Sequence, residues 1–152
     1  MPDAASLRDI HHFINGQAAP GRSGRYGEVF DPNAGAPQAQ VALASKDEVS
    51  AAIEAAKAAQ QAWAAVNPQR RARVLFKYKQ LVEDNMEEIA RLVSSEHGKV
   101  VADAKGDIQR GLEVIEFACG VPHLLKGEFT EGAGPGIDVY SMRQPLGVVG
   151  AI

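Results

Sequence analysis

The sequence is poor in cysteine, has no long apolar run and carries no strong excess of one charge. Its 152 residues include one cysteine, Cys119, which excludes an internal disulfide framework and a zinc site built from several thiolates. No apolar run approaches the ~20 residues of a membrane-spanning helix. The 16 basic and 19 acidic residues give a net charge of −3, so no basic excess favours binding to nucleic acid. Residues 1–10 lack the apolar core of a signal peptide. We therefore expect a cytoplasmic globular protein with neither nucleic acid nor a membrane as partner.

Residues 11–44 are rich in turn-forming residues and predict a small antiparallel sheet. Asn15-Gly16 is the strongest short signal for a β-hairpin. Residues 31–35 combine Asp, Pro, Asn and Gly, and this composition predicts a tight turn. The predicted strands are residues 12–14, 28–30 and 40–44.

Three helices are predicted between residues 45 and 120. Ser45 and Glu48 form a capping-box pattern at the start of the first helix. Asn67-Pro68 starts a long second helix that ends at Gly98, and a third follows. Apolar residues at helical spacing predict three buried faces. These are Val49, Ile53, Ala56, Ala59, Trp63 and Val66 in the first helix; Val74, Tyr78, Leu81, Ile89 and Leu92 in the second; and Val101, Ile108, Leu112, Ile115 and Cys119 in the third.

The C-terminal part ends in a continuous apolar run. Residues 126–136 are rich in glycine and predict a loop, and residues 137–143 predict a strand. Residues 146–152 are all apolar or glycine, which is typical of a strand buried on both faces of a parallel sheet. A parallel strand needs neighbours that are reached through crossover helices. Either this strand pairs with another chain, or the sequence is the front part of a larger α/β protein.

Few side chains suggest chemistry. Cys119 continues an apolar helix face and is expected in the core rather than as a nucleophile. His11 and His12 precede the first predicted strand and are expected to face solvent, and no histidine has the i, i+4 partner of a helical metal pair, so no metal is assigned. The basic cluster at residues 69–73 is expected to form salt bridges, with a contact to CoA or phosphate as the alternative.

Arg110 is the main candidate for substrate binding. It lies in the third predicted helix, three residues after Asp107 and next to Gly111. A surface ion pair with Asp107 is the simplest interpretation. The functional interpretation is a planar guanidinium presented to a substrate carboxylate, with Gly111 leaving room beside it.

Several local strings, in the same order along the chain, resemble the N-terminal part of an aldehyde dehydrogenase. The resemblance covers residues 12–152, and residues 107–120 and 138–141 look most like the CoA-acylating branch that oxidises methylmalonate semialdehyde. The matching pieces are Phe13-Ile14-Asn15-Gly16, residues 31–35, the capped helix ending at Trp63, residues 94–99 and residues 143–152.

The resemblance implies an α/β fold built from small antiparallel strands, three helices, an oligomerisation strand and the first strand of an NAD-binding sheet. Residues 1–127 would be the strands and helices of the NAD-binding domain. Residues 128–145 would be an arm through which subunits pair into a homo-oligomer, and residues 146–152 the first strand of the dinucleotide-binding sheet. The catalytic domain of the family would lie beyond this sequence.

The implied reaction is NAD-dependent oxidation of malonate or methylmalonate semialdehyde, with release of CO2 and transfer of the acyl group to CoA. Arg110 matches the arginine that would hold the substrate carboxylate, and Ile152 would approach the cofactor at the carboxyl end of its strand. The family's catalytic cysteine has no match here, so no catalytic residue is assigned and this stretch alone is expected to be inactive. The alternatives are a non-acylating aldehyde dehydrogenase and a non-catalytic module that pairs its strands with a partner.

Overall fold

The computed structural model describes residues 7–152, so residues 1–6, for which the sequence predicts no signal peptide, lie outside the described residues. Among these residues, five strands come first, five helices follow, and two strands come last. The strands are β1 (Arg8–Ile10), β2 (His12–Ile14), β3 (Gln17–Ala19), β4 (Tyr26–Asp31), β5 (Ala36–Ala42), β6 (Phe129–Gly134) and β7 (Ile137–Tyr140). The helices are α1 (Lys46–Ala65), α2 (Pro68–Asp84), α3 (Met86–His97), α4 (Val101–Cys119) and α5 (Val121–Leu124).

The N-terminal strands form two sheets rather than the single antiparallel sheet predicted. The hairpin is confirmed: β2 and β3 pair across Asn15 and Gly16, whose φ angles of 54° and 78° suit a tight hairpin turn. A separate three-stranded sheet has the order β1-β5-β4, in which β5 is antiparallel to β4 and parallel to β1. The parallel pairing joins residues about thirty positions apart, for which the sequence contains no local signal.

The predicted long second helix is two helices, which corrects the prediction. The chain bends at Asn85, which closes α2 and opens α3 with φ −109° and ψ 14°. Its side-chain amide donates a hydrogen bond of 2.7 Å to the carbonyl oxygen of Leu81. Asparagine competes in this way with the regular helical pattern, so the bend has a local cause.

The buried core is built mainly from alanine and draws on α2, α3 and α4 and on strand β5. α4 packs against both α2 and α3, and Leu112 is its largest fully buried side chain. The predicted face of the third helix is therefore confirmed at Leu112 and Cys119. The other buried residues are Ala39, Ala42, Ala72, Ala90 and Ala104.

The faces predicted for the first two helices are wrong for this chain. No residue of α1 is buried, and Trp63 is 47% exposed. In α2 the buried residue is Ala72, whereas Val74, Tyr78 and Leu81 remain exposed. Periodicity identifies apolar stripes, but it does not say which other element covers each stripe.

The C-terminal part departs from the prediction at two places. Residues 129–134 form strand β6, paired antiparallel with β7, where a loop was predicted. Gly127 allows this pairing, because a Cβ there would lie 1.8 Å from the carbonyl oxygen of Ser141. Residues 146–152 do not form the predicted strand. A strand requires neighbours, and no described segment pairs with this one.

Candidate functional site

The junction of α3 and α4 brings together four charged or titratable residues, which we name the α3–α4 corner: His97, Lys99, Asp107 and Arg110. α3 ends at His97 because Gly98 adopts a left-handed conformation with φ 85°. The Ser94 hydroxyl donates a hydrogen bond of 2.6 Å to the carbonyl oxygen of Lys99, which fixes the turn between the helices.

Asp107 supplies the carboxylate of the α3–α4 corner, and this carboxylate forms an ion pair within the corner. The Lys99 ammonium donates a short hydrogen bond to Asp107 across the helix junction. This hydrogen bond lowers the pKa of Asp107, and the charges of Lys99, Arg110 and His97 lower it further. Asp107 is therefore ionised at neutral pH and compensated by Lys99, which leaves the corner with excess positive charge.

Arg110 does not form the ion pair with Asp107 that is the simplest sequence interpretation. Its guanidinium is exposed, and no carboxylate of residues 7–152 lies within 4.0 Å of it. Gly106 lies one turn before Arg110 in α4, and Gly111 follows it directly. A Cβ at Gly106 or at Gly111 would meet nothing within 4 Å. The arrangement can therefore accept a carboxylate beside an open helix face.

Other candidate residues fall in different places. Cys119 is buried, so its assignment to the core is confirmed. His12 was expected to face solvent, but its side chain is 19% exposed, and its Nε2 lies 3.9 Å from Glu48. The surface pairs Glu54–Lys57 and Glu87–Arg91 join oppositely charged side chains at 2.7 Å and 3.2 Å. In the described part of the chain no group of three or more His, Cys, Asp or Glu could hold a metal ion.

The basic cluster at residues 69–73 lacks the predicted salt bridges. Within residues 7–152, none of Arg70, Arg71 and Arg73 lies within 4.0 Å of a carboxylate. Arg70 and Arg73 are exposed to water. Arg71 differs from them, because its Nε is buried without a hydrogen-bond partner.

Glu48 has a larger role than the sequence indicated. The capping box is confirmed, with Ser45 N–H donating to Glu48 at 2.8 Å and Glu48 N–H donating to the Ser45 hydroxyl at 3.3 Å. Glu48 also accepts a hydrogen bond of 2.7 Å from Arg22 N–H, a contact over 26 residues that no local motif predicts. Hydrogen bonds from the backbone of Ser45, then from that of Arg22 and from the Ser45 hydroxyl, lower the pKa of Glu48 from 4.5 to about 2.

Ile152, the candidate cofactor contact, is fully exposed, and residues 141–152 form no helix or strand. Residues 146–150 of the apolar run line a hollow of about 650 Å³ together with Ile53 and Lys57 of α1. No described helix is both long and apolar enough to cross a membrane.

Residues 19–152 match the model of the aldehyde dehydrogenase family. The chain therefore belongs to that family, and its mixed α/β fold matches the N-terminal part of the family fold, as the sequence predicts.

The relatives include enzymes named for semialdehyde substrates. The chain is 45% identical over 143 residues to the malonate-semialdehyde dehydrogenase of Pseudomonas aeruginosa, covering 94% of this chain and 29% of that protein. A crystal structure from Sinorhizobium meliloti, assigned as a methylmalonate-semialdehyde dehydrogenase and complexed with NAD, matches with a TM-score of 0.90 and 59% identity, covering 94% of this chain and 29% of that one. The methylmalonate-semialdehyde dehydrogenase of Oceanimonas doudoroffii matches with a TM-score of 0.88 and 46% identity, covering 92% and 28%. The chain thus spans about 30% of the length of its curated relatives.

Proposed function

We propose that the chain is part of an NAD-dependent, CoA-acylating dehydrogenase of malonate or methylmalonate semialdehyde. The names of the most similar relatives support the substrate class, and the complex of the Sinorhizobium meliloti protein supports NAD. The resemblance of residues 107–120 and 138–141 to the acylating branch supports CoA as co-substrate.

The proposal depends on one observation: the Arg110 guanidinium is exposed, and no carboxylate of residues 7–152 lies within 4.0 Å of it. Both semialdehydes carry a carboxylate near the aldehyde carbon, and a guanidinium binds such a group with two parallel hydrogen bonds. Within the α3–α4 corner, Asp107 is hydrogen-bonded to Lys99 and acts on Arg110 only at longer range, so the guanidinium keeps its donors for a substrate carboxylate. Arg110 is thus a substrate-binding residue that orients the carboxylate.

The other steps need groups that the described residues do not supply. A cysteine thiolate would add to the aldehyde, and NAD, when bound, would accept the hydride, which leaves a thioester on the cysteine. Loss of CO2 from this thioester would leave an enolate that takes up a proton. The thiol of CoA would then displace the cysteine thiolate, giving acetyl-CoA or propionyl-CoA. Cys119 is unsuited to the first step because it is buried. The 152-residue chain alone is therefore expected to be inactive.

The division of the chain into functional parts is also proposed. Residues 1–127 belong to the NAD-binding domain, residues 128–145 form an arm for homo-oligomerisation, and residues 146–152 become the first strand of the dinucleotide-binding sheet, with Ile152 near NAD. The exposure of β6 and β7 supports the arm, because Phe129 and Tyr140 face each other across the hairpin and are both largely exposed.

A chimera tests the proposal. Residues 1–152 replace the matching 29% of the Sinorhizobium meliloti protein, and NADH formation is measured with malonate semialdehyde and with propanal, which has no carboxylate. We expect Arg110→Ala to raise the KM for malonate semialdehyde about 10- to 100-fold, the range for lost hydrogen bonds to a charged group, and to leave propanal unchanged. Glu113 is an exposed residue of the same helix, and Glu113→Ala provides the control. It is expected to change the KM for neither aldehyde.

Three results would contradict parts of the proposal. Equal loss with both aldehydes would show that Arg110 supports the fold rather than the carboxylate. Full activity without CoA would favour a non-acylating dehydrogenase. NADH formation by residues 1–152 alone would overturn the expected inactivity.

A further inference from the structure

A small hollow lies where the end of α1, the first turns of α2 and the start of α5 meet. It has a volume of about 250 Å³ and is lined by Trp63, Arg71, Val74, Leu75 and Val121. Four of these five side chains are apolar or aromatic, so Arg71 is the one charged group in the lining. An apolar hollow with a single charge selects a ligand group of opposite charge.

Arg71 lacks a partner within the described residues. Its Nε is shielded from water and makes no hydrogen bond there, and no carboxylate of residues 7–152 lies within 4.0 Å. Buried donors in folded proteins are almost always paired, and a guanidinium is always charged. Arg70 and Arg73 do not share this problem, because both are exposed to water.

The hollow continues into an apolar stripe along α2. Val74, Tyr78 and Leu81 follow each other at intervals of four and three residues, so they lie on one face of the helix. Their exposed fractions are 55%, 53% and 46%. We name the hollow and these three residues together the α2 seam.

The total exposed surface of the chain, to which the α2 seam contributes, is larger than a folded monomer of this size leaves exposed. The chain exposes 11,891 Å², whereas a folded monomer of 16.2 kDa exposes about 7,500 Å². The excess is comparable to an obligate interface. The relatives are more than three times as long as this chain, so their remaining polypeptide is large enough to cover it.

We propose that the α2 seam receives a segment of the dehydrogenase polypeptide outside residues 7–152, and that an Asp or Glu of this segment binds Arg71. A carboxylate both fits the guanidinium fork and compensates its charge, which a backbone carbonyl does not. Apolar side chains of the same segment cover Val74, Tyr78 and Leu81. The inference rests on membership of the family and not on the proposed substrate.

Thermal unfolding of Arg71→Met tests the inference in two contexts, the 152-residue chain and the chimera with the Sinorhizobium meliloti protein. In the chain alone, the substitution removes an unpaired buried donor, so its Tm is expected to stay equal or to rise. In the chimera it leaves the partner carboxylate unpaired, so its Tm is expected to fall by about 3 °C or more. Arg70→Met and Arg73→Met provide matched controls and are expected to change neither Tm.

Three other outcomes would overturn the inference. An unchanged Tm of the Arg71→Met chimera, relative to the two controls, shows that no outside group binds Arg71, and this result stands even if the chain alone does not melt cooperatively. An equal fall in both contexts shows an internal structural role. Sedimentation of the chain alone adds a further check, because loss of a dimer on Arg71→Met would identify a second copy of the chain as the occupant. Enzyme activity enters none of these measurements, so failure of the proposed substrate would be recognised separately.

Discussion

At the scale of single residues, the Glu48 side chain contacts three separate parts of the chain. Its carboxylate accepts hydrogen bonds from the backbone of Ser45 and of Arg22, and it lies 3.9 Å from His12. It therefore joins the start of α1 to the loop after β3 and to the hairpin. The capping box could be predicted from the sequence because it spans four residues. The contacts with Arg22 and His12 could not, because they depend on how distant segments pack.

Glu48→Gln is expected to lower the Tm of the chain at pH 7. The folded-state pKa of about 2 lies below the ordinary value of 4.5, so the ionised carboxylate stabilises the fold above pH 4.5. This contribution is lost as the pH falls from 4.5 toward 2. The Tm difference between wild type and Glu48→Gln, followed by circular dichroism, should therefore narrow over that interval. Glu54→Gln, in an exposed pair with Lys57, provides the control. A difference that stays constant with pH would refute the electrostatic explanation.

At the scale of elements, features with local signals could be predicted from the sequence, whereas features that depend on partners could not. The hairpin at Asn15-Gly16 and the core face of α4 at Leu112 follow from turn chemistry and periodicity. The bend at Asn85 arises from a side-chain hydrogen bond that the apolar pattern does not show. The exposure of Tyr78 depends on which element covers α2, and no local signal in the sequence identifies that element.

Replacement of glycine by alanine is expected to change the stability of the fold in opposite directions at the C-terminal end of α3 and in the interior of α4. Gly98 has φ 85°, and a Cβ there would lie 3.0 Å from Pro32, so Gly98→Ala is expected to destabilise the fold by about 1–3 kcal/mol. Gly111 lies inside α4 with open space around it, so Gly111→Ala is expected to stabilise by about 0.5–1 kcal/mol. Urea unfolding of both variants measures these changes. Equal signs for the two substitutions would show that the helix boundaries in solution differ from those described.

At the scale of the whole molecule, the chain exposes apolar surface that a stable monomer would bury. The exposed apolar residues are not confined to the α2 seam. They also occur on the hairpin of β6 and β7, where Phe129 and Tyr140 are exposed, and in residues 146–152. Each of these surfaces is a site for association, and an unpaired apolar segment with strand-like composition favours it most.

The isolated 152-residue chain is therefore expected to self-associate with increasing concentration, and residues 146–152 are expected to contribute most. Leu146 and Val149 are 96% and 75% exposed, so replacing both with glutamate removes apolar surface without disturbing packing. Analytical ultracentrifugation should show a larger monomer fraction for Leu146→Glu/Val149→Glu than for wild type. Ser50→Glu/Gln109→Glu adds the same charge at exposed polar positions and should leave association unchanged. If the control pair raises the monomer fraction by as much, the added charge alone explains the increase. If wild type is monomeric at every concentration, the apolar segment does not drive association.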